Sequence, residues 1–225
     1  MSCINKVGNA NWPYCSDTSV KYGKVARGQR YRCKTCKRVF MDAYINQACY
    51  QTINKSVIEH LKEGCGIRSI ARLLRISTNT VLSRITIIAH SIKKPVIVTE
   101  SIYEVDELRT YVKSKSRECW VIYALDRLSG QVMDIKVGKR TKENIKRVID
   151  TLLLAKCQKV YTDRPGICRL IIPEAVPFYA RHGFNHIERK NLSLRTHLKR
   201  LCRKTICYSK SEQMLEACIR IYFWA

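Results

Sequence analysis

Acidic residues are scarce in this 225-residue chain, which has 18 Asp and Glu side chains against 42 Lys and Arg and a formal net charge of +24. This imbalance opposes compaction of the chain on itself unless a polyanion neutralises part of the charge. Nucleic acid is the first candidate for that polyanion, and an anionic membrane surface is the second. The apolar fraction of 46% is sufficient for a core and excludes general disorder.

Long apolar runs are also missing. No stretch reaches the roughly 18 residues of a membrane-spanning helix, and the N-terminus has no signal-peptide core. The 12 cysteines therefore do not indicate a secreted disulfide-rich domain, and most of them are scattered through periodic segments, where free cysteine acts as a small apolar residue. We expect a cytoplasmic protein, associated with the nucleoid when it is bound to DNA, and no membrane partner.

Residues 1–48 have too little apolar material for a core of their own, and a bound metal could replace one. Cys33 and Cys36 have the two-residue spacing of a zinc knuckle, in which two thiolates bind one ion. A structural zinc site needs four ligands. Cys15 is a plausible third ligand, and Cys3 is the best candidate for the fourth.

Trp12 interrupts the pattern, because it stands where a second knuckle ending at Cys15 would have another cysteine. Three interpretations of the segment follow. It is a zinc-ribbon-like finger that holds Zn²⁺, a finger that has lost a ligand, or a redox CxxC pair. No βαβ pattern surrounds the CxxC, which disfavours the redox interpretation.

Residues 49–94 predict three helices, at 52–63, 67–74 and 78–89. A three-residue turn joins the last two, which is typical of a helix-turn-helix, whose second helix can enter the DNA major groove. Asn and Arg there could bond to base edges, and hydroxyl groups could contact phosphates. A helical hairpin that only packs or dimerises is the alternative. The predicted DNA contacts are Arg68, Thr78, Asn79, Thr80, Ser83 and Arg84.

From residue 95 onward the pattern changes to strands. Three strands are predicted in succession, the last two as a hairpin, and a helix capped by Thr141 and a further short strand follow. The strands span 103–108, 119–126, 131–137 and 159–163. This βββαβ order is that of ribonuclease-H-like nucleases and transposases, an analogy of fold that settles no chemistry.

The expected fold class is therefore α/β. A ribonuclease-H-like catalytic domain over 95–225, with a mixed sheet and flanking helices, follows a zinc-ribbon-like finger over 1–48 and an all-α helix-turn-helix domain over 49–94.

Three acidic residues in the third domain are candidates for a metal site. Asp106 lies within an apolar strand, and Asp163 ends another strand that is its neighbour in the βββαβ order. An acid in a buried strand needs a partner or a metal. With Glu188, they could hold two Mg²⁺ or Mn²⁺ ions, one activating the attacking oxygen and one stabilising the leaving oxygen. Glu188 alternatively belongs to a capping box with Asn185.

Glu188 opens a strongly basic helix. At 100° per residue, Arg195 and Lys199 lie on the same side as Glu188, while leucines and Ile187 form an apolar stripe. Such cations could bind phosphates beside the metals, and a solvated basic face is the alternative. The DNA contacts predicted here are Arg189, Lys190, Asn191, Arg195, Lys199, Arg200, Arg203 and Lys204.

Taken together, these segments resemble the transposases of the insertion sequence 1 family. The resemblance covers nearly the whole chain, and its C-terminal block is its most specific part. In the catalytic half it is carried by 104–108, 124–127, 162–163, 185–192 and 198–211. In the finger it is carried by 13–16, 29–33 and the CxxC, with Trp12 a departure, since the family has a cysteine there.

The resemblance implies a DDE transposase whose catalytic acids are Asp106, Asp163 and Glu188. Such an enzyme binds the terminal inverted repeats of its insertion sequence, cleaves the DNA at the ends and transfers the strands to target DNA. The resemblance also implies that it acts on double-stranded DNA as at least a homodimer. Two other functions stay open on the residues alone. One is a DNA-binding regulator with an inactive catalytic domain, and the other is a ribonuclease-H-like nuclease without strand transfer.

Overall fold

The computed structural model describes residues 15, 18–26, 28–41, 48, 52–162, 170–173, 176–179, 185–202, 205 and 207–225. Within these residues the chain forms a small antiparallel sheet, three helices, and a larger mixed sheet with helices packed on it. None of the described helices has the length and apolar character needed to cross a membrane.

The small sheet consists of β1 (Ser19–Val25), β2 (Gly28–Cys33) and β3 (Val39–Met41), paired antiparallel in that order. Tyr31 stacks on Phe40 with ring centroids 5.8 Å apart. In the described part of this sheet, only Cys33 and Phe40 are buried. The sheet therefore has almost no hydrophobic core, as its composition predicted.

Three helices follow, as predicted: α1 (Ile53–Lys62), α2 (Ile67–Leu73) and α3 (Thr78–Ser91). Ser77 caps α3, because its hydroxyl accepts the backbone N–H of Thr80 at 3.0 Å. In the turn before it, Arg75 has a φ of 50°, which lets the chain reverse between α2 and α3. Helix α3 packs against α2 and α1, with Val81 and Ile85 buried.

The larger sheet contains β4 (Ile102–Tyr111), β5 (Glu118–Asp126) and β6 (Val132–Gly138), which pair antiparallel. Helix α4 (Lys142–Leu154) leads to β7 (Lys159–Thr162), which pairs parallel to β4, and β8 (Phe178–Tyr179) pairs parallel to β7. The described strand order is β6-β5-β4-β7-β8. The predicted α/β class with a mixed sheet is confirmed.

Two helices follow the sheet, α5 (Asn185–His197) and α6 (Glu212–Trp224), with a 3₁₀ turn at Lys199–Leu201 between them. The predicted apolar stripe is buried. The prediction that Lys199 shares a helical face with Glu188 is wrong, because α5 ends at His197 and the backbone of Leu198, at φ −106° and ψ 86°, leaves the helical region.

Alternation along β4 directs its side chains to opposite faces of the sheet. Tyr103 and Val105 pack with α4 in one hydrophobic cluster, whereas Leu108 belongs to a second cluster on the other face, with α5 and α6. Glu104 and Asp106 alternate with Tyr103 and Val105, and so they face α5.

The second cluster also contains the buried side chains of α1, α2 and α3, so that the helices before residue 95 and the sheet after it share one core. Helix α6 joins them, packing against α3, α1 and β6. Arg220 donates to the carbonyl oxygen of Ile92 at 2.9 Å, and Tyr222 hydrogen-bonds with His197 at 2.6 Å. The three helices are therefore held in place relative to the sheet.

Candidate functional site

Asp106 lies near the middle of β4, half-buried, and its carboxylate is held at both oxygens. Oδ1 accepts the backbone N–H of Glu107 at 2.6 Å, and Oδ2 accepts the side-chain amide of Asn191 on α5. The cross-strand neighbour of Asp106 on β5 is Tyr123. Asp106 is therefore oriented by one strand and one helix, as a residue that binds a ligand would be.

Tyr123 fixes the other end of the Asn191 amide. Its hydroxyl donates to Oδ1 of Asn191 at 2.8 Å, with the carbonyl oxygen of Ile187 at 3.3 Å. Burial raises the pKa of Tyr123 well above its ordinary value, and the charges of Asp106 and Glu104 raise it further. The tyrosine thus remains a protonated donor, which orients the amide nitrogen of Asn191 towards Asp106.

Glu104 is a second carboxylate on the same face of β4, and it is fully buried. Its Oε2 accepts the backbone N–H of Ile187 at 2.9 Å, in the first turn of α5. Its Oε1 lies 3.6 Å from Nε of Arg127. Burial raises the pKa of Glu104, against the opposing effects of the Ile187 N–H, His186 and Arg127.

Sequence reasoning missed Glu104, although the signal was available. It lies two residues before Asp106 in the same apolar strand, so that the argument that an acid in a buried strand needs a partner applies equally to both.

Glu188 is exposed on the first turn of α5, between two residues that bond to β4. Helix α5 begins at Asn185, whose side chain lies outside the described part of the structure, so that the capping box stays a prediction. The observed acceptor for an N–H of this first turn is Glu104. The carboxylate of Glu188 is therefore exposed one helical turn before Asn191, the residue that bonds to Asp106.

Asp163 lies outside the described residues. The residue before it, Thr162, pairs with Val105, the residue before Asp106, in the parallel register of β7 and β4. The predicted adjacency of these two strands is confirmed.

The cysteine cluster near the N-terminus is compact. The sulfur atoms of Cys15, Cys33 and Cys36 all lie within 4.8 Å of one another. Cys33 is buried and Cys36 is exposed, and the backbone N–H of Cys36 is the chief cause of a lowered pKa of the Cys33 thiol. Cys3 and Trp12 lie outside the described residues. Three convergent thiols have the chemistry of a site for a soft divalent ion.

The predicted DNA contacts around α3 divide into two groups. Arg68, Thr78, Asn79 and Ser83 are exposed. Arg68 and Thr78 line a groove of about 620 Å³ between α2 and α3, together with Arg72 and Arg75. The other two have partners within the protein. Thr80 is half-buried, its hydroxyl 2.8 Å from Oγ of Ser77, and Arg84 donates to the carbonyl oxygen of Ala48 at 2.8 Å.

The predicted contacts of the basic segment divide in a similar way. Arg189 and Lys199 are exposed, and Lys190 and Arg195 are half-buried. Asn191 is used within the protein by Asp106 and Tyr123. Arg200 donates to Oγ of Ser209 at 3.1 Å. Arg203 and Lys204 lie outside the described residues.

Solved structures similar to this chain include two retroviral integrase cores. The HTLV-2 integrase catalytic core domain in complex with magnesium has a TM-score of 0.39 and 15% sequence identity, over 57% of this chain and 86% of that one. The catalytic core domain of BIV integrase has a TM-score of 0.32 and 14% identity, over 53% of this chain and 82% of that one.

Relatives found by sequence have a higher sequence identity to this chain than these two structures do. The insertion element iso-IS1n protein InsB of Shigella dysenteriae is 35% identical over 118 residues, which are 52% of this chain and 90% of that protein. The insertion element IS1 4 protein InsB of Escherichia coli (strain K12) is 34% identical over 119 residues, 53% of this chain and 71% of that protein. A family model described as IS1 transposase matches residues 96–224, which include β4 to α6. With more than half of its length matched by that model, the chain belongs to the IS1 transposase family.

Proposed function

We propose that this protein cleaves DNA at the ends of its insertion sequence and transfers the cut strands to target DNA, with a divalent metal held by Asp106, Asp163 and Glu188. The observation that carries the proposal is the contact between β4 and α5. Within the segment that matches the family, it brings Asp106 against the helix turn that bears Glu188.

The side chains present suit magnesium. Carboxylate oxygens are the hard ligands that Mg²⁺ and Mn²⁺ prefer, and each oxygen of Asp106 accepts one hydrogen bond and retains a further lone pair. Asp163 directly follows the strand that pairs with β4. Two such ions would lower the pKa of the attacking water or 3′ hydroxyl and stabilise the leaving oxygen.

The protein's own groups would orient this chemistry. Asn191 and Tyr123 hold the Asp106 carboxylate in one rotamer, so that it is preorganised before DNA arrives. Glu188 is exposed, and a phosphodiester can therefore reach it. Arg189 and Lys190 follow it on the same helix and would bind the phosphates that flank the cleaved bond.

End recognition is proposed for the helix-turn-helix formed by α2 and α3. Asn79 lies exposed in the first turn of α3, where an amide can bond bidentately to adenine in the major groove. We expect Asn79→Ala to weaken binding to the terminal repeats by about tenfold, since such a pair is worth roughly 1–3 kcal/mol. Fluorescence anisotropy with duplexes from the element ends and with an unrelated duplex measures the effect.

The matched control is His90→Ala, at the other end of the same helix and also exposed, which should bind like the parent. An equal loss on both duplexes, or no loss on either, would contradict base recognition by Asn79.

Zn²⁺ is proposed for the cluster of Cys15, Cys33 and Cys36, with Cys3 as the fourth ligand. Purified protein should contain about one zinc per chain, and Cys36→Ser should remove most of it. Cys207→Ser is the control, because Cys207 is also exposed but lies outside the cluster. Metal content measured by mass spectrometry decides the matter, and a zinc-free parent or equal zinc in both variants would count against the site.

The proposed activity is tested with the parent protein, Mg²⁺, a labelled duplex from the DNA that flanks the coding sequence, and a supercoiled target plasmid. Cleavage at the element end and covalent joining of the label to the plasmid are expected. Cleavage without joining would instead support a nuclease, and binding without cleavage would support a regulator. A dimer or larger assembly on the end duplex is expected in sedimentation measurements, because the two ends are processed together.

A further inference from the structure

Two hydrogen bonds on one face of the sheet join β4 to the start of α5. Glu104 accepts the N–H of Ile187, and Asp106 accepts the amide of Asn191. Glu188 lies between these two attachment points along the helix. These two bonds, with the Tyr123 hydroxyl that contacts the carbonyl oxygen of Ile187, set the position of Glu188 relative to Asp106, and loss of the Glu104 bond would leave the Ile187 N–H without its acceptor.

The first of these bonds depends on a buried carboxylate. Glu104 is 0% exposed, and a carboxylate without partners would be costly there. The first-turn N–H of a helix lacks an intrahelical acceptor, and the positive end of the helix dipole favours a negative charge. Arg127, which also stacks over the ring of Tyr161 at 4.6 Å, lies 3.6 Å from Oε1. The burial of Glu104 is therefore offset partly by Arg127 and partly by the first turn of the docked α5.

We propose that Glu104 is a positioning residue that, through the N–H of Ile187, fixes Glu188 at the distance from Asp106 that a shared metal ion requires. Glu104 itself touches neither DNA nor metal in this assignment. The inference rests on the proposed function, because it assumes that Asp106 and Glu188 bind the ion.

Two substitutions separate the position of the acceptor from its charge. Glu104→Gln keeps an acceptor oxygen at the same reach and removes the charge, whereas Glu104→Asp keeps the charge and withdraws the acceptor by one methylene. We expect Glu104→Asp to weaken Mn²⁺ binding by about tenfold or more, as is typical when a group that orients a ligand is lost, and Glu104→Gln to stay within about threefold of the parent. Mn²⁺ binding is measured by electron paramagnetic resonance on the full chain without DNA.

A second measurement does not depend on metal. Amide hydrogen exchange at Ile187 should accelerate in Glu104→Asp and remain slow in Glu104→Gln, because only the latter retains the acceptor. Asp126→Asn is the control, since Asp126 is a buried acid of the same sheet whose described partners are Ser101 and Ser129. It should alter stability without altering Mn²⁺ affinity.

The assignment would be overturned if Glu104→Gln weakened Mn²⁺ binding more than Glu104→Asp does. It would also be overturned if the two variants had the same Mn²⁺ affinity and the same exchange rate at Ile187. A parent that binds no Mn²⁺ would refute the proposed metal site and not the docking role, which the exchange rate at Ile187 still decides. The expected exchange rates at Ile187 in both variants, combined with unaltered Mn²⁺ affinity, would show that Glu104 docks the helix without positioning Glu188.

Discussion

Asp106→Asn is expected to lower the rates of DNA cleavage and of strand transfer by about 10³-fold or more. An amide oxygen binds Mg²⁺ far more weakly than a carboxylate, and the loss of several kcal/mol of transition-state stabilisation corresponds to that factor. Both reactions should fail together, because the proposed mechanism assigns them to one active site. The measurement is a single-turnover assay with end duplex and target plasmid.

The fold should survive this substitution. Asparagine retains one acceptor for the N–H of Glu107 or the amide of Asn191, so that the free energy of unfolding should fall by only about 1 kcal/mol. Asp150→Asn is the control, an exposed aspartate on α4 paired with Lys146, and it should react like the parent. Cleavage and joining by Asp106→Asn at the parent rate would refute the metal site, and hence the proposed mechanism.

Gly64→Ala is expected to lower the free energy of unfolding by about 3 kcal/mol or more. Gly64 ends α1 with a φ of +78°, where an L-residue costs about 1–2 kcal/mol. In addition, a Cβ at this position would lie 2.5 Å from the carbonyl oxygen of His197 at the end of α5. Both partners are backbone, so the helix ends must separate, at a further cost of roughly 1–3 kcal/mol. Urea denaturation followed by circular dichroism gives the value.

Two other glycines separate these effects. Gly130 has a φ of +67° with no atom within 4 Å of an added Cβ, so that Gly130→Ala should show the backbone cost alone. Gly66 has a φ of −71° and equally open surroundings, and Gly66→Ala should cost less than either. If Gly64→Ala were no less stable than Gly130→Ala, close contact between α1 and α5 would be contradicted.

The contact at Gly64 bears on how the proposed DNA-recognition helices relate to the catalytic sheet. Because α1, α2 and α3 share a hydrophobic core with α5 and α6, we expect α3 and Asp106 to keep a fixed spacing. A fixed spacing would place the cleaved bond at a defined number of base pairs from the recognised repeat. The change from a helical to a strand pattern at residue 95 marks a change of secondary structure and not a division of the core.

Much of the catalytic half was predictable from local pattern. Alternation predicted β4, β5 and β6, Thr141 predicted the start of α4, and the spacing of leucines predicted the buried face of α5. These features depend on residues a few positions apart, where periodicity and capping act directly. The adjacency of β4 and β7 also followed, because few topologies fit a βββαβ order.

Side-chain assignments were less predictable wherever an exposed polar residue could find a partner within the protein. Asn191 was expected to contact DNA, but it bonds to Asp106 and Tyr123, which lie more than 60 residues away in sequence. The prediction that Lys199 shares a helical face with Glu188 failed for a related reason. The helix ends before Lys199, where the packing of Leu198 and Leu201 turns the chain. Helical periodicity carries no information about where a helix is interrupted by such packing.

The scarcity of acids by itself predicted a polyanionic partner, and it made the few carboxylates that lie in apolar strands candidate metal ligands. Periodicity, which is a local property of the chain, predicted the helices and strands, and the position of Asp106 within an apolar strand made it a candidate ligand. Only the tertiary structure decided that Glu104 caps α5, that Asn191 holds Asp106, and that α6 joins the first three helices to the sheet. Those contacts join residues far apart in sequence, and their energy depends on burial that exists only once the core has formed.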